Sequence, residues 1–301
     1  MADWSPAHAS GPSLPQQEGN AVQTAQVSVS GLFVYPVKSA RGIACVCASL
    51  TATGFEWDRQ WMIVNARGVF LTQRSHPQLA CIVPEVTPHA LVLTAPGLDA
   101  LSVPLDTEGA RVAVKVWDDA CSGIDQGSAA GEWLSRAAGE PVRLLRVAPG
   151  MGRAANPKFA GQTPAPLSFP DGYPVLICNE ASLEDLNTRL PARIPMERFR
   201  PNIVLRGLPA WAEDHIETLE FGSVRLRLVK PCVRCTIPSI DQQTGRRSTD
   251  PTPVLRKFRH SKTLRGVMFG ENAVIEAGQD GKIERGAAGS AAYRAARREH
   301  T

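Results

Sequence analysis

Short runs that alternate apolar and polar residues, each cut off by turn formers, set the fold class of this chain. In Val224-Arg225-Leu226-Arg227-Leu228 the arginines share one side and the aliphatics the other, as in a strand with one buried face. Val27–Pro36, Cys45–Leu50, Gln60–Asn65, Val69–Thr72, Ala90–Thr94, Arg111–Trp117, Val142–Val147, Val175–Cys178, Ile203–Leu205 and the run within Val267–Glu276 also read as strands. Many of their boundaries fall at glycines and prolines, which at this spacing predicts a β-rich barrel or sandwich. Helical patterns are few. Gly127–Gly139 reads as a helix with Ser128 as cap and Gly139 as stop, and Glu180–Leu190 as an amphipathic one. The expected class is mainly β with some α.

With 301 residues the chain has room for two modest domains. A net charge of +4 is too small to argue for nucleic acid or a membrane surface. The start, Met1-Ala2-Asp3-Trp4-Ser5-Pro6, lacks the basic and apolar regions of a secretory signal, and no apolar run approaches the roughly 20 residues of a membrane span. Seven irregularly spaced cysteines suggest a reducing, cytoplasmic setting rather than a disulfide framework. Residues 1–26, rich in Ala, Ser, Gln, Gly and Pro, read as a disordered tail, and the Ala-Arg run 291–298 as a frayed helix.

The run Lys230-Pro231-Cys232-Val233-Arg234-Cys235-Thr236 carries the chemistry. Pro231 cannot donate to a sheet ladder, so the preceding strand is expected to stop there and leave both thiols on a loop. Structural zinc would need four ligands, but there is no second Cys-x-x-Cys and the six histidines are scattered. A thioredoxin-like pair would open a helix, whereas Pro238 and the turn Asp241-Gln242-Gln243-Thr244-Gly245 follow here. Two buried small side chains, or one thiolate bound to a soft metal and aided by Arg234, are the other readings. The pair alone does not choose among them.

Elsewhere, Lys38 lies in a polar loop and reads most simply as a solvated charge. Asp58-Arg59 reads as a charged pair at a strand mouth, and Arg200, before Pro201, is expected to be extended. The long 148–170 loop and the Trp211 region are expected to shape an entrance.

Five separated pieces, in order, resemble one family: Tyr35-Pro36-Val37-Lys38-Ser39, Asp58-Arg59-Gln60-Trp61, Phe199-Arg200-Pro201-Asn202, Cys232-Val233-Arg234-Cys235 with Asp241 and Gly245, and Phe269-Gly270-Glu271-Asn272. The chain is similar over residues 28 to about 290 to the MOSC family, including the mitochondrial amidoxime reducing component and its bacterial relatives. The resemblance implies an N-terminal β-barrel-like domain over residues 27–147 and a MOSC β-barrel domain with peripheral helices over 148–290, flanked by tails 1–26 and 291–301.

It also implies a molybdenum–molybdopterin cofactor with one protein thiolate, which lands on Cys235. Lys38, Ser39, Arg59, Arg200, Asn202, Arg234 and Asn272 fall where relatives hold the pterin and its phosphate. Gly172, Tyr173 and Val233 match positions that are often hydroxylic, so backbone groups and one phenol replace those contacts. Asp171 is the candidate acid or orienting carboxylate. The implied activity is reduction of N-hydroxylated compounds: hydroxylamines, amidoximes and N-hydroxylated bases. The electrons would come from a separate donor, a ferredoxin, cytochrome b5-type or flavin reductase system, since no plant-type iron–sulfur spacing occurs in the chain. The alternatives are a cofactor or sulfur carrier without turnover, with sulfur held on Cys235, and a barrel whose site has decayed.

Overall fold

The computed structural model describes residues 23–294. The expected tail at 1–22 and the remainder of the Ala-Arg run, 295–301, lie outside them.

The first strand, β1 (Thr24–Val34), buries Val27, Val29, Leu32 and Val34. It begins inside the expected tail because Thr24–Gln26 pair with Ala292, Ala291 and Ser290. An antiparallel sheet follows, built from β2 (Trp61–Asn65), β3 (Arg111–Val116), β4 (Asp119–Asp125) and β5 (Val142–Val147) in the order β2-β5-β4-β3. A three-stranded sheet (Val83–Val86, Ala90–Ala95, Leu98–Pro104) and α1 (Ser128–Ala138) share a core with it through Trp61, Leu91, Leu93, Trp133, Leu134 and Leu144. Ser128 does not cap α1, since Gly127 holds the cap position. Gly139 ends the helix in the left-handed conformation, as its type predicts. Val69–Thr72 forms only isolated bridges, at Val69 and Phe70, rather than a strand.

The second half contributes β6 (Val175–Asn179), α2 (Glu180–Thr188), β7 (Ile203–Arg206), β8 (Ile216–Phe221), β9 (Val224–Val233), α3 (Thr252–Arg256), β10 (Gly266–Ala277) and β11 (Ala288–Tyr293). Seven strands close into a barrel in the order β6-β7-β1-β11-β8-β9-β10, with β10 returning to β6. Closure removes both sheet edges. Val29, Ile177, Leu205, Leu219, Leu226, Ala273 and Ile275 belong to its core. The protein is 43% strand and 17% helix, so mainly β describes it.

Two further expectations change. Ala291–Tyr293 are strand, because pairing with Thr24, Ala25 and Leu219 overrides the helical propensity of alanine. Strand β9 does not stop at Pro231. Register shifts at Leu228/Lys230 and Pro231/Val233 bracket the proline, so its missing N–H falls at an irregular part of the ladder. Apart from these changes, β1, which lies inside the expected N-terminal domain 27–147, pairs as a stave of the second barrel between β7 and β11.

Gly270 explains how β10 bends past β6. Its φ is +76°, and a Cβ there would lie 2.7 Å from the Ile177 carbonyl oxygen and 2.7 Å from Cys178 Sγ. Gly270→Ala is therefore expected to cost about 1–3 kcal/mol, read in urea as a lower unfolding midpoint with an unchanged slope. A midpoint equal to that of the unsubstituted protein would contradict the packing described.

Candidate functional site

Where the two halves meet, a cleft of about 380 Å³ opens. Every residue proposed from the sequence lines it: Lys38, Ser39, Arg59, Asp171, Gly172, Tyr173, Arg200, Asn202, Val233, Arg234, Cys235 and Asn272. Thr72, Arg74, Trp117 and Cys232 join them. Four of the seven non-glycine residues with positive φ among the described residues are here, namely Ser39, Arg59, Trp117 and Arg200. Backbone strain of this kind concentrates at sites where the surroundings fix a side chain's direction.

Lys38 is not a solvated charge. It is buried, and its Nζ donates to the Phe169 carbonyl at 2.8 Å and to Asp171 Oδ1 at 2.5 Å. Burial lowers its pKa, and Asp171 partly restores it. The Asp171 carboxylate is 70% exposed to the cleft and also accepts from Trp117 Nε1 at 3.3 Å. Its surroundings disfavour the charge, but the Lys38 ammonium and its hydrogen bond outweigh them and hold the carboxyl below the usual range. Arg153 fixes the segment beneath: buried, it donates to the carbonyls of Ser168, Pro170 and Asp171 and pairs with Asp119 at 2.8 Å. The long loop thus acts mainly as a brace, and of its residues only Pro170 reaches the cleft wall.

Asp58 and Arg59 do pair, at 2.6 Å. Asp58 also accepts from the Tyr35 backbone N–H at 2.9 Å and from Asn202 Nδ2 at 3.1 Å. Asn202 Nδ2 donates to the Phe33 carbonyl as well, while its Oδ1 accepts from Leu176 N–H and Arg59. Four bonds occupy this amide fully, so Asn202 holds Arg59 in place rather than reaching for a ligand.

Arg200 is left-handed, at φ 57° and ψ 46°, where an extended residue was expected before Pro201. It closes the short helical turn Met196–Phe199, and its buried guanidinium donates to the Ala40 carbonyl at 2.7 Å. That anchor outweighs the local proline preference. The Arg59 and Arg200 guanidiniums lie 4.2 and 4.3 Å from the centroid of the buried Tyr35 ring. Burial pushes Arg200 down to about 10. Gln242 Oε1 also receives Arg200, and Gln242 and Gln73 exchange amide bonds at 2.8 and 2.9 Å across the seam.

On the opposite wall, Arg234 Nη1 donates to Cys232 Sγ at 3.0 Å and Nη2 to the Phe199 carbonyl at 2.7 Å. Cys235 is half-buried. Gly172 adds no side chain, and a Cβ there would meet open space. Burial pushes the Tyr173 phenol up to about 12, which keeps it a neutral donor. Asn272 Nδ2 donates to the Lys230 carbonyl at 3.1 Å. Trp211 takes no part in the cleft wall and packs instead on Phe269 and Phe258.

Five cations thus line the cleft with one carboxylate, and among the described residues Arg74, Arg200 and Arg234 have no acidic partner. Such a surface suits a polyanion. Sequence reasoning missed Arg74 and Trp117, at 4.6 Å in cation–π contact. Trp117, 45% exposed and left-handed, sits in the turn after β3. A tryptophan beside a turn was the available signal.

The chain matches the MOSC N-terminal beta barrel domain over residues 26–141 and the MOSC domain over 164–288. It is 33% identical to mitochondrial amidoxime reducing component 2 of Bos taurus, covering 77% of this chain and 72% of that one. Against mitochondrial amidoxime-reducing component 1 of Homo sapiens the identity is 32%, over 82% and 77%. Against the molybdenum cofactor sulfurase of Bos taurus it is 31% over 79% of this chain, which spans only 30% of the sulfurase. The chain belongs to the MOSC family, in the arrangement that joins an N-terminal MOSC β-barrel domain to a MOSC domain.

Proposed function

We propose that this protein is a molybdenum-cofactor-dependent reductase of N-hydroxylated compounds that receives electrons from a separate donor protein. The observation that carries the reading is the meeting, in one cleft, of Cys235 with an excess of buried and half-buried cations drawn from both halves of the chain. The donor set fits the group: one soft thiolate for the metal, and guanidiniums and an ammonium for a phosphate-bearing pterin. When bound, the cofactor supplies two-electron oxygen-atom chemistry.

The chain's own residues then have separable tasks. Cys235 ligates the metal. Arg200, Arg59 and Arg234 receive phosphate and pterin oxygens, with Lys38 and Ser39 beside them. Arg59 keeps its direction through Asp58 and Asn202. Asp171, ionised at neutral pH, orients Lys38 rather than giving up a proton. Tyr173 offers a neutral O–H. Backbone at Gly172 and Val233 replaces hydroxyls, and Asn272 completes the wall. The seven free thiols suit a reducing compartment, and no described helix is long and apolar enough to cross a membrane.

A second reading is a cofactor or sulfur carrier without turnover, with sulfur held on Cys235, which lies half-buried in the cleft beside the cations. Two measurements decide between them. Protein made in a cofactor-producing host is expected to hold molybdenum and to reduce hydroxylamine with a reduced donor. Cys235→Ser is expected to lose both, while its urea midpoint equals that of the unsubstituted protein prepared without cofactor. Full metal and turnover in that variant would overturn the reading, and a persulfide on Cys235 without molybdenum would favour the carrier.

Asp171 has a pH signature. Its folded pKa is depressed, so its contribution is present above its unfolded value and lost as pH falls through the folded one. The difference in urea midpoint between the protein and Asp171→Asn is therefore expected to be constant from pH 5 to 7 and to shrink below about pH 4. A difference that grew with acid would refute the Lys38 pairing.

A further inference from the structure

Positive charge is not spread evenly over this chain. Residues 246–265 carry seven Lys and Arg against one Asp, a net +6, in a protein whose total is +4. All other residues together therefore sum to −2. Arg246, Arg247, Arg256, Lys257, Lys262 and Arg265 are exposed, and among the described residues none of them forms an ion pair. Like charges left uncompensated along one segment repel one another, a cost that a binding surface recovers when an opposite charge arrives.

The segment adjoins the cleft on two sides. Arg247 donates to the backbone carbonyl of Arg74, which lines the cleft mouth. At the other end, His260-Ser261 pairs with Val267-Gly266 at the start of β10, and the Arg234 N–H donates to the Val267 carbonyl. Within the segment sits Phe258, 38% exposed, an apolar ring among Arg256, Lys257 and Arg259. An aromatic centre with a charged rim is the anatomy of a protein–protein contact.

Phe258 also begins a row of rings leading inward. Its centroid is 5.3 Å from Trp211, Trp211 is 5.8 Å from Phe269, and Phe269 is stacked on Phe199 at 3.9 Å. Phe199 lines the cleft, and its carbonyl accepts from Arg234. The use left unassigned for Trp211 is then clear.

We infer that the basic face of residues 246–265, centred on Phe258, is the docking surface for a small acidic one-electron carrier protein. The Phe258-Trp211-Phe269-Phe199 row is the packed route from it to the cleft. The inference rests on the functional reading above. Reduction of R–NHOH breaks the N–O bond and takes two electrons and two protons to give R–NH2 and water. Two reduced carriers must therefore dock in turn, each leaving oxidised by one electron. Transient docking of this kind favours a small, charge-steered contact over a large apolar one.

The test uses the full-length protein and the triple variant R256E/K257E/K262E, none of whose altered residues line the cleft. Binding of a plant-type ferredoxin and of a soluble cytochrome b5 domain is measured by calorimetry at low and moderate salt, with basic cytochrome c as control. Hydroxylamine reduction is followed with the bound carrier and with dithionite-reduced methyl viologen. The expected result is salt-sensitive binding of at least one acidic carrier, weakened about tenfold or more in the variant, with viologen-driven turnover unchanged. Equal carrier binding by both proteins would overturn the proposal. So would tighter binding of a DNA duplex or an anionic vesicle than of either carrier. A protein that reduces nothing with viologen would fail the functional reading, and the calorimetry would still decide the docking surface.

Discussion

Like charges do not gather in a confined space unless their neighbours make it tolerable. The cleft holds Lys38, Arg59, Arg74, Arg200 and Arg234 together, and each is stabilised differently. Asp58 takes Arg59, Asp171 takes Lys38, carbonyls of Ala40 and Phe199 take Arg200 and Arg234, and aromatic faces lie against all five. Carbonyls and π-faces stabilise a cation without neutralising it. The field of the cleft therefore stays positive, which a fully salt-bridged arrangement would not allow.

This arrangement depends on the seam between the halves. Gln73 and Gln242 exchange amides across it, and Arg41 donates to the carbonyls of Gln242 and Gln243. The turn after the cysteine loop is thus gripped from the N-terminal half. Severing that grip would leave buried amides unpaired, at about 1–3 kcal/mol each.

Much of this was legible in the sequence. Alternation marked the strands, and five short motifs carried the family and with it every proposed lining residue. What local rules missed has physical reasons. Pro231 and Arg200 were judged by the preferences of single residues, while bulges and a buried guanidinium anchor decided their backbones. Lys38 looked solvated because its partners, Phe169 and Asp171, lie more than a hundred residues along the chain. Arg153 and Trp117 carry no motif, and only the folded chain brings one beneath the Pro170-Asp171 wall and the other to the cleft. Short strands such as β4 and β8 escaped notice because their sequences, Asp119–Asp125 and Ile216–Phe221, are broken by small or charged residues.

The place of β1 has a consequence for how the molecule is made. Its neighbours in the barrel, Ile203–Arg206 and Ala288–Tyr293, are synthesised long after it. Closure must wait until Ala288–Tyr293 has been made, a long-range pairing that folds slowly and leaves an open strand in the meantime. The barrel that carries one wall of the basic pocket is thus open until Ala288–Tyr293 joins it, so a prosthetic group held there gains its full enclosure only after that pairing.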